Sequence, residues 1–253
     1  MSGYYGKLLR VNLTSGEITT EEIANDIAQK YVGGRGLGTY YLTKEIDPTV
    51  DALSAENKIM FVTGPLTGAP VPTSGRYMVI TKSPLSGTVA SSNSGGFWGA
   101  ELKFAGWDMI VVEGKSAAPC YLAINDGEVE LRDASGVWGK RVMDTTDALL
   151  EASGDPKTRV LTIGPAGEKL SPIAAIMNDR YRAAGRSGVG AVMGSKNLKA
   201  IIVRGSGKVP VAQPDVLTET VKGLLAKIKE NGVTGTGLPT YGTAVLVNII
   251  NES

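Results

Sequence analysis

Alternation of apolar and polar positions opens the chain. In "KLLRVNLTSGEITTEE", Leu9, Val11 and Leu13 alternate with polar residues and Ser15-Gly16 supplies a turn, which predicts a β-hairpin. Ile23, Ile27 and Tyr31 then recur at helical spacing, with Gly33-Gly34 as a stop. The apolar run in "KIMFVTGPLTG" predicts a buried strand that ends in a Gly64-Pro65 turn, and "RYMVITKS" predicts another strand. A glycine-led segment from Gly95 to Gly106 reads as a short helix, and "DMIVVEG" as a closing strand.

The same order then recurs. "CYLAINDGEVELRD" is a hairpin with Asp126-Gly127 at its turn. "DTTDALLEASG" is a helix, with Asp144 as N-cap and Gly154 as stop. "TRVLTIGPAGE" is a strand ending at Gly164-Pro165, "SPIAAIMND" a strand, "GRSGVGAVMGSK" a second glycine-led helix and "KAIIVRG" a last strand. Gly99 and Gly190 are 91 residues apart, and so are Gly114 and Gly205, so the spacing holds from helix to strand. Turn residues alone recur in unrelated α/β units; shared order and spacing together favour a duplication. The predicted fold is α+β: two similar mixed β-sheet halves, about 1–115 and 116–208, related by a pseudo-twofold axis. Residues 209–253 form a linker and a C-terminal helical segment. In "PDVLTETVKGLLAKIKENG", Leu217, Val221, Leu224, Leu225 and Ile228 share one face, and "TAVLVNIINES" is apolar almost throughout. Such a face calls for a partner, so the segment reads as the truncated start of a helical domain.

Composition narrows the chemistry. The 253 residues can bury a substantial core. A formal net charge of +1 gives no general electrostatic case for nucleic acid. No apolar run is long enough to span a bilayer, and "MSGYYGKLLRVNL" lacks the apolar core of a signal peptide, so a cytoplasmic location is expected. There is one cysteine, Cys120, and no histidine. Internal disulfides, cysteine-rich zinc sites, a four-cysteine iron–sulfur cluster and Ser-His or Cys-His nucleophile pairs are thereby excluded from this chain. Cys120, within a strand pattern, reads as a buried structural thiol.

The 33 glycines cluster in loops, which suits ligand shaping. A glycine-led helix start offers unpaired N–H groups and partial positive charge to an anion such as phosphate, and two copies suggest two phosphate groups, or two copies of one phosphorylated ligand. Arg76 in "TSGRYM" and Arg180, Arg182 and Arg186 in "NDRYRAAGRSG" lie nearby, and arginine suits bidentate phosphate binding. The glycine strings match neither the dinucleotide fingerprint nor the Walker A pattern. Asp108, Glu101, Glu168 and Asp179 are scattered acids that read as surface or cap residues. Phe97 and Trp98 read as packing residues, with a pocket wall as the alternative.

"GGRGLGTYYL", "GPLTGAPVPTSGRYMVITKSPLSG", "NSGGFWGAELKFAGWD", "IGPAGE", "MNDRYRAAGRSGVGAVMGSKNLKAI" and "GLPTYGTAVLVNIINE" resemble the N-terminal part of aldehyde ferredoxin oxidoreductases, which are tungsten–pterin enzymes. The resemblance runs over essentially the whole chain, while family members are more than twice as long. It implies that residues 1–208 form a saddle carrying a tungsten (or molybdenum) bis-molybdopterin, one pterin for each half, with the two pterin phosphates sharing a Mg2+ ion. Carried over by motif, Arg76, Asn93 and Gly95 hold one side of the cofactor, and Arg182, Ala183 and Gly185 the other. The carbonyls of Asn93 and Ala183 are the implied protein ligands of the magnesium, an oxygen-lined hard-cation site. The sequence departs from the family pattern at Ser74 and Tyr181, both neighbours of these residues. The resemblance also implies oxidation of an aldehyde to a carboxylate, with electrons passed through a [4Fe-4S] cluster to ferredoxin. The cluster ligands and the acid–base residues would come from the remaining domains or a partner subunit, so the chain is not expected to be active alone and offers no catalytic residue of its own. A homodimer is open to it; nucleic acid and membrane are not expected partners. The alternative is a stand-alone cofactor-binding scaffold subunit that completes a site with another polypeptide.

Overall fold

Leu9 and Val11 on β1 (Lys7–Asn12) face one buried layer and Leu8 faces another, so this strand is covered on both sides. It pairs antiparallel with β2 (Ile18–Glu22), the expected hairpin. The computed structural model describes residues 2–252, save the side chain of Ile249. The first half continues with α1 (Asn25–Tyr31), α2 (Gly34–Glu45), β3 (Ile59–Thr63), β4 (Tyr77–Lys82), β5 (Val89–Ser94), α3 (Trp98–Phe104) and β6 (Met109–Glu113). The second half contains β7 (Cys120–Asn125), β8 (Glu128–Asp133), α4 (Val142–Ser153), β9 (Arg159–Thr162), α5 (Pro165–Glu168), β10 (Ile176–Asn178), β11 (Arg182–Ala184), α6 (Val189–Ser195) and β12 (Leu198–Arg204).

The first sheet runs β2-β1-β6-β3-β4-β5 and the second β8-β7-β12-β9-β10-β11. Adding six to each strand number turns one order into the other. Each sheet has one parallel pair, β1 with β6 and β7 with β12, and every other pair is antiparallel. The duplication read from the sequence is therefore the architecture.

Helices α3 and α6 are packed within the layer between the two sheets. One core joins Leu9, Phe61 and Tyr77 of the first sheet to Leu122, Leu161 and Ile201 of the second, with Trp98, Leu102, Val192 and Met193 from these helices. Trp98 is 0% exposed; its Nε1 donates to the Ile201 carbonyl at 3.1 Å, and its ring lies 4.8 Å from that of Tyr77. Helices α1 and α2 cover the outer face of the first sheet, and α4 that of the second.

Four elements escaped the apolar pattern. Helix α2 carries Gly34, Gly36 and Gly38, poor helix formers. Gly38 is there because a Cβ would lie 2.6 Å from Ile80, so the glycine lets α2 approach the sheet. Strand β5 is mostly serine and asparagine, and β11 and α5 span only three and four residues. Asp144 is not the N-cap: α4 begins at Val142, and Asp144 sits in its first turn and accepts from Arg141 Nε at 3.1 Å. Gly154 does end that helix, in the left-handed region at φ 67°.

The chain divides into two compact units, residues 1–69 with 73–210, and residues 70–72 with 211–253. The second contains the amphipathic helix α7 (Pro214–Glu230), a π-helical turn at Gly232–Gly237, α8 (Leu238–Tyr241), a 3-10 turn at Gly242–Val245 and α9 (Leu246–Asn251). Leu224, Leu225 and Ile228 of α7 are exposed. No described helix is long and apolar enough to cross a membrane.

Candidate functional site

Ladder registers carry one half onto the other. Met109 of β6 and Ala200 of β12 stand 91 residues apart, the interval already seen for the glycines. Across β3 and β9 they face Val62 and Thr162. Next come Met78 on β4 and Met177 on β10. Beyond these, on the outer strands β5 and β11, stand Asn93 and Ala183. These two residues thus hold the same position in the two halves, and Gly95 and Gly185 follow each by two.

Antiparallel ladders alternate between residues bonded to the neighbouring strand and residues whose N–H and C=O point away from it. Ser83 N donates to the Thr88 carbonyl at 2.8 Å, which sets the phase of β5: residues 88, 90, 92 and 94 face β4, and Asn93 faces outward. Asp179 N donates to the Val160 carbonyl at 3.3 Å, which turns Met177 toward β9 and so leaves Ala183 facing outward from β11. Both halves therefore present the carbonyl of the corresponding residue off a sheet edge. The two edges, β5 and β11, adjoin.

The side chains are disposed around this seam. Arg76 is exposed and donates from Nη1 to Asn93 Oδ1 at 2.7 Å. Gly95 lies against its guanidinium, where a Cβ on the glycine would sit 3.5 Å from Arg76 Nε. Arg182 and Arg186 are exposed, and the Arg186 amide donates to Ser92 Oγ of the first half at 3.0 Å. Among the described residues, Arg76, Arg182 and Arg186 pair with no carboxylate. Arg180 leaves the group, because it forms an ion pair with Asp147 on α4. Arg35, at the start of α2, was not legible as a site residue, yet its Nε donates to Ser91 Oγ at 2.9 Å on the same exposed face of β5. The glycine-flanked string "GGRG" was the signal available for it. A cleft of about 320 Å³ opens beside Arg76 and Asn93, walled by Gly33, Gly64, Thr73 and Met78.

The glycine-led helices do not offer the open N-termini expected of them. The Asp179 carboxylate accepts from the amides of Phe97 at 2.5 Å and Trp98 at 3.3 Å, so the second half already caps α3. At α6, the Gly190 amide donates to the Ala174 carbonyl at 2.9 Å, and residues 188–195 are buried. Most glycines there serve packing: a Cβ on Gly96 would lie 2.4 Å from Asp179 Oδ2, on Gly190 2.5 Å from the Ala175 carbonyl and on Gly194 2.0 Å from the Gly167 carbonyl. Gly95 and Gly185 differ. Neither has a positive φ, and the nearest atoms to an added Cβ are 3.5 Å and 3.7 Å away. The protein itself does not require glycine at these two positions.

The scattered acids are mostly structural and buried, not surface residues. Asp108 pairs with Lys103, Glu168 with Lys199 and Glu101 with Arg204. Burial pushes the pKa of Lys103 and of Lys199 down, against the pull of their carboxylate partners. Phe97 and Trp98 separate: Trp98 is core, while Phe97 is 65% exposed beneath the Arg159 guanidinium. Cys120 is buried, as expected, and burial raises its thiol pKa.

Residues 8–205 match the family described as "Aldehyde ferredoxin oxidoreductase, N-terminal domain". The chain belongs to the aldehyde ferredoxin oxidoreductase family. It is 59% identical over 252 residues to a tungsten-containing aldehyde ferredoxin oxidoreductase of Pyrococcus abyssi, and 55% identical over 253 residues to that of Pyrococcus furiosus. In both cases all of this chain aligns with 42% of the relative. A solved structure, the active site complex BamBC of benzoyl coenzyme A reductase with 1,5-dienoyl-CoA, superposes with a TM-score of 0.88 at 38% identity, covering 90% of this chain and 35% of that one. The chain thus spans less than half the length of these relatives, which carry the corresponding region within a single longer polypeptide. That arrangement does not favour a stand-alone scaffold.

Proposed function

We propose that the chain is the cofactor-binding region of a cytoplasmic tungsten–pterin aldehyde:ferredoxin oxidoreductase. The observation that carries the reading is the paired edge: outward carbonyls at Asn93 and Ala183, each followed two residues later by a glycine that packing does not explain. Carbonyl oxygens suit a hard cation such as Mg2+. Exposed guanidinium groups without carboxylate partners suit phosphate oxygens. Open glycines allow backbone amides to approach such oxygens closely. The donor set therefore fits two phosphorylated pterins joined by magnesium.

In this reading, Arg76 and the Gly95 amide hold one pterin phosphate, and Arg182 and the Gly185 amide hold the other. The carbonyls of Asn93 and Ala183 ligate the shared Mg2+. The Asn93 side chain keeps the Arg76 fork over β5 through its 2.7 Å hydrogen bond. When bound, the tungsten centre supplies the redox chemistry, by which an aldehyde and water give a carboxylic acid with two electrons and two protons, the electrons leaving singly for ferredoxin. This chain contributes binding and orientation. With one cysteine, it does not supply the four thiolates of a [4Fe-4S] cluster, which come from outside these residues.

The test is tungsten and pterin content, by mass spectrometry, of protein produced with tungstate. R76A and R182A are expected to lose both, while without cofactor they melt at the same midpoint as the cofactor-free parent. Full loading of either variant would refute the assignment.

A further inference from the structure

Two residues with no part in the cofactor contacts above join the cradles. Asn178 is 1% exposed and uses both ends of its amide. Its Oδ1 accepts from Tyr77 Oη at 2.9 Å and Ser94 Oγ at 2.8 Å. Its Nδ2 donates to the Gly95 carbonyl at 3.0 Å and to Asp179 Oδ2 at 3.0 Å. That same oxygen accepts the amides of Phe97 and Trp98, so three N–H groups converge on one atom. The Gly95–Trp98 segment is thus held at a carbonyl, at two amides and by packing against Gly96, all from the second half.

The hairpin that reaches across is itself under strain. Asp179 and Arg180 adopt φ 48° and 65°, a left-handed conformation that non-glycine side chains rarely take. The conformation aims the Asp179 carboxylate at α3. The other end of this three-residue turn is Arg182, which faces Asn178 in the β10–β11 ladder.

Resting on the reading proposed above, we infer that Asn178 and Asp179 are positioning residues that lock the two phosphate cradles into one rigid unit. One hairpin carries Arg182 of the second cradle and fixes the Gly95 loop of the first. Neither cradle then shifts alone, and the distance between the two phosphate sites is set before cofactor arrives. Preorganisation of this kind is needed wherever two sites must be met at once by one ligand.

The experiment compares N178A, D179A, D179N, R76A and S83A in the tungsten-loaded protein. Ser83 is a control at another point of the seam, where its Oγ donates to the Ser187 carbonyl at 2.9 Å. Tungsten per chain, thermal midpoint and amide hydrogen exchange over residues 95–98 are measured for each. N178A and D179A are expected to lose tungsten about tenfold or more and to exchange faster at 95–98. D179N, which keeps an acceptor for the α3 amides, is expected to recover most of the loading. S83A is expected to lose stability but keep its metal. If R76A loads as the parent does, the cofactor assignment fails. If R76A loses metal while D179A and N178A keep it, the assignment stands and the positioning role is overturned. Loss of metal in S83A in proportion to its midpoint would also overturn it, because seam stability alone would then account for the effect. Should N178A not fold, the difference between D179A and D179N decides.

Discussion

Asn93 and Ala183 occupy one and the same place in two copies of a sheet, each opposite a methionine, Met78 or Met177, and each with its carbonyl turned off the sheet edge. The side chains differ because the shared feature is the backbone. A duplicated fold brings such positions together automatically once its outer strands adjoin, as β5 and β11 do. A ligand with two like anionic ends suits an edge built in this way.

The glycines separate packing from binding. Gly95→Ala and Gly185→Ala meet no atom closer than 3.5 Å and require no left-handed backbone, so stability should change by less than about 1 kcal/mol. Tungsten content should nevertheless fall sharply in both. Gly96→Ala should behave in the opposite sense: its φ is 97° and its Cβ would collide with the Asp179 carboxylate, at a cost of about 2 kcal/mol or more. Denaturant midpoints set beside metal content give both readouts. Equal destabilisation by all three substitutions would contradict this division.

The pattern of apolar runs and turn residues makes the duplication legible, because corresponding strands, Ile59–Thr63 with Arg159–Thr162 and Met109–Glu113 with Leu198–Arg204, recur in one order with the same turn residues after them. It did not reveal β5, whose "VASSNS" carries little apolar signal although Ala90, Ser92 and Ser94 are buried. The six residues singled out by motif lie around that polar seam, where periodicity has least to say. The motif also misled about cause. The glycine-led helix starts suggested open anion sites, but Gly96, Gly190 and Gly194 are required by close backbone and side-chain contacts. Asp179, read from the sequence as a surface or cap residue, is a cap, but of a helix 82 residues away in sequence, a partner that no local pattern encodes.

The fork of Arg76 should matter beyond its charge. Arg76→Lys retains a cation but loses the planar pair of donors and the hydrogen bond to Asn93. Tungsten retention should fall roughly tenfold, corresponding to about 1.4 kcal/mol. Because Arg76 is exposed, the loss should deepen as ionic strength rises and screens the remaining point charge. Dialysis at graded salt, followed by metal analysis, measures it; a lysine variant indistinguishable from the parent at every salt would show that geometry is irrelevant there.

Trp98 should couple the two halves in unfolding. It belongs to the first half, but its indole N–H is satisfied by Ile201 of the second, and its ring fills the layer between the sheets. Trp98→Ala should cost about 3–5 kcal/mol, from lost burial and the cavity left behind. Since both sheets share that core, hydrogen exchange should accelerate in β3 and in β12 alike. Acceleration confined to the first half would mean that the halves unfold separately.

Lys196 should give the protein an alkaline rise in stability. It is fully buried at the end of α6, and its Nζ donates to the carbonyls of Ala55, Asn57 and Gly114, which ties the second half to two segments of the first. Burial pushes its pKa from the ordinary 10.5 down to about 8, with Glu113 pulling the other way and Lys58 adding to the depression. Below pH 8 the side chain is protonated in the folded and the unfolded chain, and the cost of burying its charge is present in full. Between about pH 8 and 10.5 the unfolded chain holds a proton that the folded protein has released, so stability grows with pH, by up to about 3 kcal/mol. Lys103 and Lys199, also depressed by burial, act in the same direction. Burial raises the Tyr77 phenol, which opposes the trend once the pH passes 10, so the clean window is pH 8–10. Lys196→Met should be less stable at pH 7, because three carbonyls lose their donor, and should show a visibly shallower rise across that window. Urea midpoints at half-unit steps of pH test this, and a slope unchanged by the substitution would assign the rise to other groups.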